Sequence, residues 1–209
     1  MANNVDLKSL FQTVTQQLAE KKGNLNEADS YNHNHGDHMV HIFKLAQDAV
    51  SQKSDKRVDE QLNYASQVVQ EKDNSGSGKL YAQGLASAAE KFSDKDLNQD
   101  NLGELVQSLL GAEKSQSKPK EQSSGLIGSL LSGLTSQSGD AGSDQKIGLD
   151  ELFRGGMAFY QSKQDGDSNM EAVMDAIKAS SPMGQSPHRT QSASIVASTL
   201  MKYAGNLKK

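Results

Sequence analysis

Side chains able to bind a metal ion or an anion are concentrated in one stretch of this chain, from Leu25 to Phe43. Four of the five histidines, His33, His35, His38 and His41, fall there, interleaved with Asp29, Asn34 and Asp37. Carboxylates offer hard oxygen donors to magnesium, whereas imidazoles suit zinc or another transition metal. His38 and His41 are three apart, so on a helix they share a face. Asp37 and His38 also stand where an apolar-periodic segment begins, and the exposed N–H groups of a helix start attract anions. A purely structural explanation competes with both: a polar surface loop in which Asp37 caps the helix.

Two further stretches carry partial motifs. Ser75-Gly76-Ser77-Gly78-Lys79 has the composition of a phosphate loop. Asp73 stands where that motif needs its first glycine, however, Leu80 stands where it needs Ser or Thr, and no strand precedes it. What remains is a Gly- and Ser-rich turn feeding a helix, which is either a phosphate cradle or a flexible cap. In Asp140–Glu151, Ile147 and Glu151 match a calcium loop, but Gly142 sits at a ligand position and Gln145 replaces the turn glycine. A linker followed by a capped helix is expected there.

These candidates need helices to position them. Leu7, Leu10, Phe11, Val14 and Leu18 recur at helical spacing and predict a first helix ending near Lys21-Lys22-Gly23. Met39, Phe43, Ala46 and Val50 predict a second, beginning around Asp37. A third is expected over Asp59 to Glu71. A fourth, carrying Leu80, Tyr81, Leu85, Ala88 and Phe92, starts from the turn at Lys72 to Gly78. Leu102, Leu105, Val106 and Leu109 predict a fifth. Composition then shifts to Ser, Gly, Gln and Lys, and 112–146 reads as an insertion, with a short apolar segment at Gly125 to Leu134. Helices resume through Leu149 to Tyr160 and Met170 to Ile177. A break at Ser180 to Gly184 and a turn at Ser186-Pro187 lead to a last helix through Ile195, Val196 and Leu200. No period-2 run suggests a strand, so the expectation is an all-α single domain over 1–209.

Composition narrows the function. Apolar residues make up 34% of the 209, and the net charge is -4. No global positive field favours nucleic acid or an anionic membrane. The absence of cysteine removes thiolate zinc sites and disulfides. No apolar run approaches the roughly 18 residues of a membrane span, and Met1-Ala2-Asn3-Asn4 does not open a signal peptide. A cytoplasmic protein is expected.

Taken in order, the segments resemble the nucleotide-binding L subunit of dihydroxyacetone kinase, also described as the Dak phosphatase domain. That family reads Leu-Asn-x-x-Asp, then Gly-Asp-Gly-Asp-His-Gly. This chain has Leu25-Asn26-Glu27-Ala28-Asp29 and His35-Gly36-Asp37-His38. The family's Ser-Gly-x-Leu-Tyr-Gly turn is matched by Ser77-Gly78-Lys79-Leu80-Tyr81-Ala82, and its Gly-Asp-Lys-Thr-Met by Gly166-Asp167-Ser168-Asn169-Met170. Its Asp-Pro-Gly-Ala-x-Ser turn looks like Ser186-Pro187-His188-Arg189, with Ser192 leading the last helix. The resemblance implies an antiparallel barrel of about eight helices, with ADP or ATP and Mg2+ at one rim and a separate substrate-binding subunit as partner. Carried over, Asp29 and Asp37 would hold metal, with Asn34 or His35 between them; the chain's own histidines add His33 and His41 as further possible donors. His38, Ser77, Gly78 and Arg189 would meet phosphate.

Departures from the pattern bear on activity. The middle ligand position holds neutral Asn34 or His35 where the family has Asp, which weakens charge neutralisation in phosphoryl transfer. The family's arginine-bearing segment before the last helix has no room here, leaving Arg189 as the substitute. Two functions follow from the resemblance: a dihydroxyacetone kinase-like phosphotransferase, or a catalytically degenerate module. The second would have an altered His/Asp site for Zn2+ or another transition metal, and a regulatory or scaffolding role.

Overall fold

The computed structural model describes residues 5–111, Met183 and 186–206. Among these residues there are six helices and no strand, consistent with the expected all-α class. They are α1 (Leu7–Ala28), α2 (His35–Gln52), α3 (Val58–Lys72), α4 (Gly76–Lys91), α5 (Leu102–Leu109) and α6 (Pro187–Asn206). α1 packs on α2 and α6, α3 on α2 and α4, and α4 on α5. The connections α1–α2, α2–α3 and α3–α4 are short, as antiparallel neighbours require. The insertion at 112–146, the Asp140–Glu151 loop, both helices expected before residue 180 and Gly166–Met170 lie outside the described residues. No helix among the described residues is long and apolar enough to cross a membrane.

α1 starts at Asp6, whose carboxylate accepts the Ser9 N–H at 2.9 Å. It does not end near Gly23 but continues to Ala28. The reason is Leu25, seven residues after Leu18 and, like it, fully buried. Burying a leucine is worth about 1.5–3 kcal/mol, more than the roughly 1 kcal/mol that an interior glycine costs. Nothing lies within 4 Å of a Cβ placed at Gly23, so that glycine marks no turn.

α2 begins at His35, slightly before the expected start at Asp37. Its first turn lies against α1: a Cβ on Gly36 would come 2.3 Å from the Lys22 carbonyl oxygen. Only glycine permits that approach. Farther along, Phe11, Phe43 and Tyr81 form an edge-to-face chain with centroids 6.1 and 5.0 Å apart, tying α1, α2 and α4. Each such pair adds about 0.5–1.5 kcal/mol beyond area burial. At the other boundary, Pro187 does not form a turn ahead of the last helix but opens α6. Its fixed φ and missing N–H suit the first helical position. Ala193, Val196, Ala197 and Leu200 of α6 are buried in the same core.

Candidate functional site

Most buried side chains are apolar, but Asp29, His35, Asp73, Ser77 and Ser192 are buried as well. All five belong to three segments that meet at one end of the helices: the α1–α2 loop with the start of α2, the α3–α4 turn with the start of α4, and the first turns of α6. Contacts join these segments. Asp29 Oδ1 lies 3.9 Å from His188 Nδ1, and His35 Nε2 lies 2.9 Å from Ser192 Oγ. The His35 and His188 rings are tilted neighbours with centroids 4.6 Å apart.

The Ser192 hydroxyl donates to the Arg189 carbonyl at 3.0 Å. Its lone pair therefore faces His35, and His35 donates from Nε2. Burial pushes the His35 imidazole down to about 4, with His188, Arg189 and His38 adding to the fall and Asp29 opposing it. At neutral pH this ring is an uncharged tether between α2 and α6.

Asp29 is the hinge of the α1–α2 loop. Its two oxygens accept the N–H groups of Tyr31 at 3.2 Å and Asn34 at 3.4 Å. Burial alone would raise its carboxyl, but those N–H groups, that of Asn32 and the His188 ring hold it below the usual range. His33 adopts a left-handed backbone at φ 53°, with Nδ1 3.3 Å from the Asn26 carbonyl.

Asp37 is turned the other way. Lys22 Nζ reaches it at 2.9 Å and Asn26 Nδ2 donates at 2.8 Å, and these two bonds hold its carboxyl below the usual carboxylate range. Asn26 also accepts the N–H of Gly36 at 2.7 Å and of Asp37 at 3.3 Å. The start of α2 is thus capped from α1 by Asn26. Asp37 does not cap it, and the Asn34 side chain makes no capping bond. His41 is exposed on α2. Of the expected metal ligands, the fold brings Asp29 and His35 to one interior cluster and leaves Asp37 and His41 outside it. Among the described residues, no group of three or more His, Asp or Glu side chains could hold a metal ion.

The start of α4 is built differently. Ser75 caps it by accepting the Gly78 N–H at 3.0 Å, and Asp73 accepts the Ser75 N–H at 2.9 Å. The Asp73 side chain is 2% exposed, and its second oxygen lies 3.5 Å from Nδ1 of His38, which is 40% exposed. A Cβ on Gly78 would come within 2.5 Å of Asp73 Oδ1. The open side of Gly78 therefore accommodates the chain's own carboxylate. A Cβ on Gly76 would come within 2.5 Å of Arg189 Nη2. The Arg189 guanidinium therefore covers the first residue of α4, while its Nε is buried with no partner among the described residues.

Asn26, Asp73 and His188 matter to this geometry more than the sequence suggested. Asp73 left a faint signal, since Asp two residues before a Ser-capped helix suits a local side-chain-to-backbone turn. Nothing local could place Asn26 or His188, because their partners lie on other segments. Comparison with protein-family models, curated proteins and solved structures found no match to this chain.

Proposed function

We propose that this chain is a helical nucleotide-binding module that grips the phosphates of ADP or ATP at the α4–α6 edge and serves a regulatory or scaffolding role rather than a metal-dependent catalytic one. The observation that carries this is Arg189, whose guanidinium lies against Gly76 at the N-terminus of α4. A helix start offers N–H groups and a positive dipole end. An arginine beside it adds a forked, permanently charged donor suited to phosphate. Ser77 and His38 flank this edge, and the antiparallel barrel of about eight helices is the fold expected to present it.

The side chains do not fit a two-magnesium centre. Asp37 is committed to Lys22 and Asn26, and Asp29 to backbone N–H groups. Asp73 pairs with His38 and Ser75, so a phosphate is confined to the Gly76 side of the turn. His35, His188 and Asp29 adjoin one another, but their interior contacts are with each other and with α6, which favours a tether over a zinc centre.

Calorimetric titration of the full chain with ADP, with and without Mg2+, tests this. Micromolar affinity that survives chelation and falls about a hundredfold in Arg189→Ala is expected, the loss being that of one or two charge-assisted hydrogen bonds. Strict dependence on Mg2+, with transfer of the terminal phosphate of ATP to a hydroxylated acceptor, would instead favour the phosphotransferase and a separate substrate-binding subunit.

A further inference from the structure

The loop that closes this rim also holds out an aromatic ring. Tyr31 is 92% exposed, the one exposed large hydrophobic residue among those described. Exposure alone is unremarkable, because single surface hydrophobics are common. What sets Tyr31 apart is the backbone beneath it. Its N–H is held by Asp29 Oδ1, the Asn34 N–H by Asp29 Oδ2 and the His33 N–H by the Asp29 carbonyl. His33 fixes a left-handed turn two residues later and packs its imidazole on the Asn26 carbonyl. The chain thus anchors this loop at four points yet gives its aromatic side chain almost nothing to touch.

We propose that Tyr31 is the stacking platform for the base of the bound nucleotide, an inference that rests on the nucleotide reading above. Stacking needs an open ring face and little else, and it tolerates any base. A platform whose backbone is already ordered avoids most of the entropy cost of fixing it on binding. The loop also contacts α6, the helix that carries Arg189. The same Asp29 oxygen that holds the Tyr31 N–H lies 3.9 Å from His188. His188 precedes Arg189, whose guanidinium covers Gly76. A nucleotide carries phosphates at one end and a flat base at the other, and these two features supply one partner for each end.

The test compares ADP with pyrophosphate, which keeps the phosphates and lacks the base. Tyr31 is exposed, so substitution there leaves the core intact. Tyr31→Ala is expected to weaken ADP about tenfold and leave pyrophosphate unchanged. The chain has no tryptophan, so Tyr31→Trp introduces a single tryptophan that can be excited selectively over the remaining tyrosines. Its fluorescence should be quenched by ADP and not by pyrophosphate, with ADP affinity retained. If Tyr31→Ala binds ADP as tightly as the wild type, the platform is wrong while nucleotide binding stands. Equal loss of both ligands would also overturn it, because the loop would then matter only structurally. If the wild type binds neither ligand, the nucleotide reading falls and the platform with it.

Discussion

The junctions before α2 and before α4 are two versions of the same device, a polar turn that feeds a helix N-terminus. They differ in where the partners come from. At α2 the N–H groups are satisfied by Asn26 of the neighbouring helix, a neutral amide, and the acidic Asp37 is drawn outward to Lys22. At α4 the cap and the nearby carboxylate are local, Ser75 and Asp73, and the group that arrives from elsewhere is the cation Arg189. A start closed by a neutral amide has little left for an anion. A start capped locally and met by a guanidinium carries a cation at Gly76 and a carboxylate at Gly78. The His-Asp stretch makes its contacts with the chain itself, and the nucleotide reading proposed above places the anion at the sparser Gly-Ser turn.

The largest effect expected at the α2 junction is with acid. His35 is neutral in the fold and titrates there at about 4, while the unfolded chain takes up its proton near the ordinary histidine value. The unfolded state then binds more protons, so stability should be full above about pH 6.5 and fall by up to about 3 kcal/mol as pH drops towards about 4. Urea unfolding at stepped pH measures this, and His35→Gln should flatten the curve across that window. A wild-type curve already flat there would break the assignment of His35 as a neutral tether.

Removing the distant cap comes next. Asn26→Ala leaves the N–H of Gly36, a buried residue, without its acceptor and should cost about 2 kcal/mol in urea unfolding. ADP affinity should hardly change, since Asn26 belongs to the closed junction. At the α4 junction the contrast is with charge. Asp73→Asn keeps an acceptor for the Ser75 N–H but removes a negative charge beside the phosphate edge, and should tighten ADP about fivefold in calorimetry, a shift of about 1 kcal/mol. A weaker complex would mean that Asp73 belongs to the ligand site. Smallest of all is Asp37→Ala. Its partner Lys22 and Asp37 itself are both about half exposed, so the loss should stay below about 1 kcal/mol. Any large fall in nucleotide affinity in that variant would reopen Asp37 as a ligand.

The helices were largely legible because apolar spacing is a local signal. Val58–Lys72 and Leu102–Leu109 follow their leucines and valines closely. The end of α1 departs from its local pattern because Lys21-Lys22-Gly23 is only a local stop signal, and Leu25 overrides it once a neighbour exists to bury it. In the site, the composition of the His-Asp stretch singled out the α1–α2 loop but not the contacts of its residues. Asp29 and Asp37 look equivalent as carboxylates on either side of a turn. One meets α6 and the other meets α1, and no spacing rule separates them.

What the residues determined alone, among those described, is the helical class, the approximate places of the helices and the polar stretch that joins α1 to α2. These depend on interactions among residues a few positions apart, which a linear pattern records. The tertiary structure decided that Asn26 caps α2, that Asp37 faces Lys22, that His35 is a buried tether to Ser192 and that Arg189 covers Gly76. Each of these joins groups held on different elements. Burial and charge there depend on how the helices pack, and that is set by the whole core rather than by any one segment.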